Sequence, residues 1–290
     1  MSAPPTPFSE PPRRFRSSKD GVELAVFEVR EVHSQGVARD DGHPPLLLVH
    51  GATADHTTWR AVGPMFAASR RVFAMDRRGR GESGDALAYS IEREYEDIAA
   101  VADGLATEIG TGAVDVAGHS YGGRCALGAS HLTQRIRRVV VYEGAPVPPG
   151  MSYRPDGLVD AVRDALARDA NETALTTFLA GIVGMSDAEL DAYRANPVWP
   201  ARVAAAHTIL REVEAEASPA ASLDALGRAS APVLLLLGST SRSPFRIGTD
   251  ALAARLAHAE VHVIEGAAHA AHHTHAAEFV AAVEAFLDRP

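Results

Sequence analysis

Seven short apolar runs, spread along most of the chain, limit the fold more than any other feature. They are VELAVFEV (22–29), LLLVH (46–50), RVFAMD (71–76), VDVAG (114–118), RVVVYE (138–143), VLLLLG (233–238) and VHVIEG (261–266). Most are rich in β-branched residues or leucine, as expected of strands buried on both faces of a parallel sheet. The first partly alternates and reads as an edge strand. Helical patterns lie between the runs. Beyond Ser90, a residue suited to an N-cap, Ile98, Val101, Ala102, Leu105 and Ile109 share one face at helical spacing. From Ala276 onward, Phe279, Val280, Val283, Phe286 and Leu287 form one stripe. Strand alternating with helix predicts an α/β fold with a doubly wound, mostly parallel sheet.

The alternation breaks between Pro146 and Pro232, where helical pieces carry Leu158, Val162, Phe178, Leu179, Ile182 and Trp199 among others. This stretch reads as an inserted helical cap. The expected organisation is a Pro-rich disordered tail (1–19), a core from 20–145 and 232–290, and the cap at 146–231. The chain has 290 residues, a formal charge of −9, a single lysine, Lys19, and a single cysteine, Cys125. The acidic balance argues against a nucleic-acid partner. One cysteine excludes an internal disulfide framework, and Cys125 fits a small core position. The N-terminus, MSAPPTPFSEPPRR, lacks the apolar core of a signal peptide. No apolar run is long enough to span a bilayer. A cytoplasmic protein with no membrane partner is the expectation.

In VDVAGHSYGGRCALGAS (114–130), Ser120 sits between Gly118 and Gly122 where a strand meets a helix. This is the G-x-S-x-G elbow, whose glycines allow a sharp bend that lifts the hydroxyl beside a helix N-terminus. The alternative is a tight turn with an incidental serine. His50-Gly51 ends an earlier strand, and the loop after it can turn the Ala52 N–H toward a substrate oxygen. The Tyr121 N–H would be the second oxyanion donor. His50 itself reads as structural. Gly79-x-Gly81-x-x-Gly84 matches the dinucleotide fingerprint in form, but the helix begins only near Ile91 and Asp103 falls inside it. A bracing turn is the better account.

Together, His50-Gly51, Asp76-x-x-Gly79-x-Gly81-x-Ser83, Gly118-x-Ser120-x-Gly122 and the late EGAAH resemble the α/β-hydrolase superfamily from about Gly21 onward. The resemblance implies a histidine base after the last strand. His269, His272, His273 and His275 are available, and His269 stands at the family's usual offset. The four histidines also resemble a metal site, yet no cysteine or carboxylate pattern joins them, and a solvated helix start is the expectation. Many relatives carry their acid after the penultimate strand, where this chain reads Ser239-Thr240-Ser241-Arg242-Ser243. Asp250 follows in what looks like a first helical turn. Glu143, at the end of RVVVYE, is the preferred acid, since some members place it there and the order Ser120, Glu143, His269 is kept. Its alternative role is a structural carboxylate capping the next loop.

These residues predict a serine hydrolase that cleaves a carboxylic ester or lactone of a small, largely apolar substrate through an acyl-enzyme. Ser120 is the nucleophile, His269 the base, Glu143 the orienting acid, and Ala52 and Tyr121 the oxyanion donors. No cofactor and no metal are implied. Three rivals stay open. They are other chemistry on the same machinery (carbon–carbon hydrolysis, thioester cleavage, perhydrolysis), a nucleotide-dependent oxidoreductase using Gly79 to Gly84, and a non-catalytic ligand-binding homologue.

Overall fold

A computed structural model describes residues 6–9, 11–17, 19–31 and 42–289. Eight strands form one sheet: β1 (Arg13–Arg16), β2 (Glu23–Val29), β3 (Leu46–Val49), β4 (Val72–Met75), β5 (Val114–His119), β6 (Ile136–Tyr142), β7 (Val233–Gly238) and β8 (Ala259–Ile264). Their spatial order is β1-β2-β4-β3-β5-β6-β7-β8. β1 and β2 run antiparallel to their neighbours, and every other pairing is parallel. The sheet is the doubly wound, mostly parallel one expected from the alternation.

Two apolar layers cover it. On one face lie α1 (Ile91–Ile109) and α2 (Tyr121–Ala129), with Ile98, Leu105 and Cys125 fully buried. On the other lie Trp59, Phe66 and the final helix (Ala276–Leu287), which contributes Phe279 and Phe286. Ser90 occupies the N-cap position of α1 in extended backbone, but its hydroxyl makes no capping hydrogen bond.

Between β6 and β7 the chain is helical: α3 (Leu158–Ala167), α4 (Asn171–Phe178), α5 (Asp187–Arg194), α6 (Trp199–Ala204) and α7 (Ile209–Ala215). These helices bury their own cluster, including Leu158, Leu175, Leu179, Leu190 and Trp199, and Ala52 of the core packs against it. A single wide turn, Leu179–Val183, follows α4 and closes at Gly184 with φ +84°. Farther along the chain lie α8 (Ser243–Ala253) and α9 (Ala276–Leu287). Among the described residues no helix is long and apolar enough to cross a membrane.

Three sequence expectations need correction. Residues 13–16 of the expected disordered tail form the edge strand β1, and Phe8 bridges to Val29. Phe8 and Phe15 bury their rings against the core, which outweighs the proline content. Proline is also tolerated where a strand has no outer partner. Residues 1–5, 10 and 18 of that tail lie outside the described residues. β2 is therefore internal rather than the edge. Finally, β8 is not buried on both faces: Val261 and Val263 are 45% and 39% exposed, because among the described residues β8 is the edge strand beside β7.

The charged stretch after β4 is a buried brace. Arg77 pairs with Glu94 at 3.0 Å and with Glu212 of α7, and Arg80 also pairs with Glu212. Arg78 holds Asp97 in a two-point contact at 2.6 and 2.8 Å. Asp76 accepts from the His56 N–H at 2.7 Å and the Glu82 N–H at 2.9 Å. Gly81 has φ +50°, and a Cβ there would overlap the Asp76 carboxylate. The Gly79 N–H donates to the Gly84 carbonyl at 2.8 Å. The glycines of the dinucleotide-like motif are thus committed to internal contacts, and α1 starts only at Ile91.

Candidate active site

The register of the parallel strands brings three chain exits together at one edge of the sheet. Val49 of β3 lies opposite Gly118 of β5, and His119 of β5 opposite Tyr142 of β6. The residues that follow are His50-Gly51, Ser120 and Glu143. Tyr142 pairs in turn with Leu236 of β7, and Gly238 with Ile264 of β8, so the loop carrying His269 arrives at the same edge.

Ser120 connects β5 to α2 with φ +53° and ψ −125°, a conformation a side chain rarely tolerates. The bend is clamped. The Ser120 N–H donates to the Tyr142 carbonyl at 2.7 Å, and its carbonyl accepts from Gly123 and Arg124 at 3.0 and 3.2 Å. A Cβ on Gly122 would overlap the His50 carbonyl, and one on Gly118 would meet the Gly123 backbone at 2.5 Å. Bulk at Gly122 would push the elbow off β3, and bulk at Gly118 would push α2 off β5. Tyr121 opens α2, so its N–H has no intrahelical acceptor. Gly51 packs against Ser120, where an added Cβ would stand 3.1 Å from the serine Cβ. His50 is structural: Nδ1 donates to the Gly51 carbonyl at 2.8 Å, and Nε2 accepts from the Arg77 N–H at 3.0 Å. Burial pushes its pKa well below the usual range, with Arg77 adding to the effect.

Glu143 turns off β6 with φ +50° and is buried. Its Oε2 receives the Nδ1 proton of His269 at 2.7 Å. Its Oε1 accepts from the Gly238 N–H at 2.8 Å and from the Ser241 hydroxyl. Three donors converge on the carboxylate and fix its direction. With Nδ1–H engaged, Nε2 is the ring nitrogen left to accept a proton. Phe245 stacks on the His269 ring at 4.6 Å between centroids. His119 donates from Nε2 to the His269 carbonyl at 2.8 Å. The Tyr142 hydroxyl donates to the Ala268 carbonyl and accepts from the Ala271 N–H at 3.0 Å, pinning the loop on both sides of His269.

Asp250 lies elsewhere. It is exposed on α8, seven residues after the helix starts rather than in its first turn. The other late histidines do not form a solvated surface as expected. His272 is buried, His273 is half-buried, and both approach the Thr58 hydroxyl at 3.4 and 3.3 Å. Among the described residues no group of three or more His, Cys, Asp or Glu is placed to hold a metal ion.

Ser120 and His269 line one cavity of about 280 Å³, at the small end for a ligand pocket. The insertion supplies its apolar wall: Phe178, Leu179, Ile182, Val183 and Met185. A second hollow of about 40 Å³ opens on the other flank of Ser120, against Tyr121, Glu143, Tyr153 and Phe245. Ala52 borders both. Burial and the adjacent His269 push His119 well below its usual pKa, and burial with His119 does the same to His272. Both are neutral at neutral pH. The site therefore brings the Ser120 hydroxyl to the same cavity as an imidazole oriented by a carboxylate, with backbone donors nearby.

Several contributors were missed from sequence: Ser241, Phe245, Tyr142 and His119. Only Tyr142 carried a signal, as the residue preceding Glu143 on the same strand.

Comparisons with known proteins bear on the family and the fold. The family model described as "Alpha/beta hydrolase family" matches residues 46–283. The chain is 32% identical over 154 residues to 2-hydroxymuconate semialdehyde hydrolase of Pseudomonas sp. (strain CF600), covering 50% of each. It spans half or less of the length of the curated relatives it matches. An alpha/beta hydrolase from Sphaerobacter thermophilus DSM 20745 superposes with a TM-score of 0.72 at 27% identity, over 88% of this chain and 93% of that one. A thermophilic esterase from Thermogutta terrifontis gives 0.69 at 20% identity, over 95% and 97%, a likeness of fold.

Proposed function

Because the chain belongs to the alpha/beta hydrolase family, we propose that it is a serine hydrolase cleaving an ester-type bond. The bond is that of a carboxylic ester or lactone of a small substrate, and the route is an acyl-enzyme. The observation that carries this reading is the His269 Nδ1–Glu143 Oε2 hydrogen bond at 2.7 Å, with His269 and Ser120 on the wall of one cavity. The helical insertion at 146–231 acts as the cap over that cavity.

In the reaction, Nε2 of His269 takes the Ser120 proton as Oγ attacks the carbonyl carbon. Glu143 holds the tautomer and stabilises the imidazolium that forms. The N–H groups of Ala52 and Tyr121 receive the tetrahedral oxyanion. His269 then returns the proton to the leaving oxygen, and water releases the acyl group by the same steps in reverse. The two hollows flanking Ser120 suit an acyl group on one side and a small leaving group on the other. No step requires a cofactor.

A second reading, hydrolysis of a carbon–carbon bond with the same residues, is favoured by the semialdehyde hydrolase relative. A panel of esters, lactones and vinylogous diketones separates the two by product. The primary test is labelling with a fluorophosphonate, read by intact mass and peptide mapping. We expect a single adduct, on Ser120, absent from Ser120→Ala and slowed severely in His269→Ala. An adduct on another residue, or none, would remove the serine mechanism.

A further inference from the structure

The main cavity carries a charge imbalance that the hydrolytic steps do not use. Arg60, Arg202, Asn196 and His273 line it beside Ser120, and no carboxylate is among its described lining residues. Other buried arginines are paired: Arg77 with Glu94 and Glu212, Arg78 with Asp97, Arg124 with Glu216. Among the described residues, neither Arg60 nor Arg202 has an acidic partner within ion-pair distance. Arg202 Nη1 donates to the Ala52 carbonyl at 3.2 Å and the Thr53 hydroxyl at 3.3 Å, and its guanidinium stands 5.7 Å from the Tyr193 ring centroid. Arg60 Nη1 donates to the Thr57 carbonyl at 3.3 Å. Both are half-buried.

Their uncompensated charge is felt nearby. His273 is pushed down to about 4, by burial first and then by Arg60 and Arg202. Two cations held partly out of water without an anion are costly unless a ligand supplies one. Their place is informative as well. Arg202 rests on the carbonyl of Ala52, the residue whose N–H is assigned to the reacting oxygen. Across the cavity the wall is apolar, with Leu179, Ile182, Val183 and Met185.

We propose that the substrate carries a carboxylate, joined to the scissile carbonyl by a short apolar spacer and bound by Arg202 with Arg60 in support. Guanidinium suits this task because its fork matches two carboxylate oxygens. The substrate class is then a half-ester, or another monoanionic acyl derivative, in place of a wholly apolar ester. The proposal rests on the serine hydrolase reading above.

The test compares p-nitrophenyl hemiglutarate with p-nitrophenyl 5-methylhexanoate, in which an isopropyl group replaces the carboxylate. In the wild type, kcat/KM should favour the hemiglutarate by about 30-fold or more, mostly through KM, as a charged hydrogen bond in a partly desolvated site allows. Arg202→Gln should bring the ratio below about 3, and Arg202→Lys should restore part of it. Calorimetry on Ser120→Ala should show binding of monomethyl glutarate that Ser120→Ala/Arg202→Gln lacks. If Arg202→Gln does not fold, Arg60→Gln and the rise of hemiglutarate KM with salt take its place. A wild-type ratio near or below 1, or one unchanged by these substitutions, overturns the proposal. If the fluorophosphonate still labels Ser120 in that case, the hydrolase reading stands without the anion site. If Ser120 is unlabelled and neither ester is cleaved, the hydrolase reading fails, and the calorimetric comparison alone decides whether the anion site exists.

Discussion

Glu143 holds a left-handed backbone, φ +50°, at the end of a buried strand, where only a few residue types are tolerated. The conformation persists because three donors, from Gly238, Ser241 and His269, fix the carboxylate. Removing its charge tests the assignment directly. Glu143→Gln should lower kcat about 10³- to 10⁴-fold on whichever ester the wild type cleaves, because an amide no longer favours the correct imidazole tautomer. Asp250→Asn, on the exposed face of α8, should stay within about twofold. Ser241→Ala removes one of the carboxylate's donors and should cost about 10-fold or more in kcat with little change in KM. If Asp250→Asn is the damaging change, the acid is misassigned. The loop Ser239 to Ser243 shows why sequence reading stops short at this scale. Its lack of a carboxylate was visible, and it pointed back to Glu143. That Ser241 would aim its hydroxyl at Glu143 depends on β6 and β7 being neighbours, which no local pattern states.

At the scale of elements, the helical insertion is joined to the core by α7. Glu212 leaves that helix and meets Arg77 and Arg80 below the sheet edge. Arg211 on the same helix pairs with Asp85 at 2.7 Å and donates to the Arg78 carbonyl at 3.1 Å. Glu216, just beyond it, pairs with Arg124 of α2 at 3.0 Å. Glu212→Gln leaves Glu94 to balance both Arg77 and Arg80 in a buried place. Losing one partner of such a group costs about 3–5 kcal/mol. At about 2–4 °C per kcal/mol for a chain of this size, the melting temperature should drop by roughly 10 °C, with α7 losing hydrogen-exchange protection first. A variant that melts like the wild type would show that α7 is held by its apolar contacts alone. The β1–β2 hairpin was hidden for a different reason. Its turn signal, Asp20-Gly21 with Gly21 at φ +72°, was present in the sequence. The prolines before it point to a tail, and only the assembled sheet buries Phe8 and Phe15.

For the molecule as a whole, acid is the condition that should matter most. His50, His119 and His272 have pKa values pushed well below the ordinary value of 6.5, and His273 is pushed down to about 4. Burial is the first cause in each case. Their folded pKa values lie below the unfolded one, so the unfolded chain binds more protons between those limits. The stability they contribute is complete above about pH 6.5 and is lost as pH falls toward 4. Melting temperature should therefore fall by at least about 5 °C from pH 7.5 to pH 5. A flat profile would mean that these imidazoles are wetter than their packing indicates.

The sequence alone determined what repeats locally: strand runs with period two or full burial, helices with one apolar stripe, and the elbow whose glycines are dictated by backbone sterics around Ser120. It also ordered Ser120, Glu143 and His269, the proposed nucleophile, acid and base, along the chain. Tertiary structure decided which chain exits meet. The pairing of β3, β5, β6, β7 and β8 sets Ser120, Glu143 and His269 at one edge. Folding of the insertion over that edge leaves Arg202 at a cavity with no carboxylate among its described lining residues. The widest of these meetings, Ser120 with His269, joins residues more than a hundred positions apart, and their free energy comes from burial and charge balance that exist only once the sheet has formed.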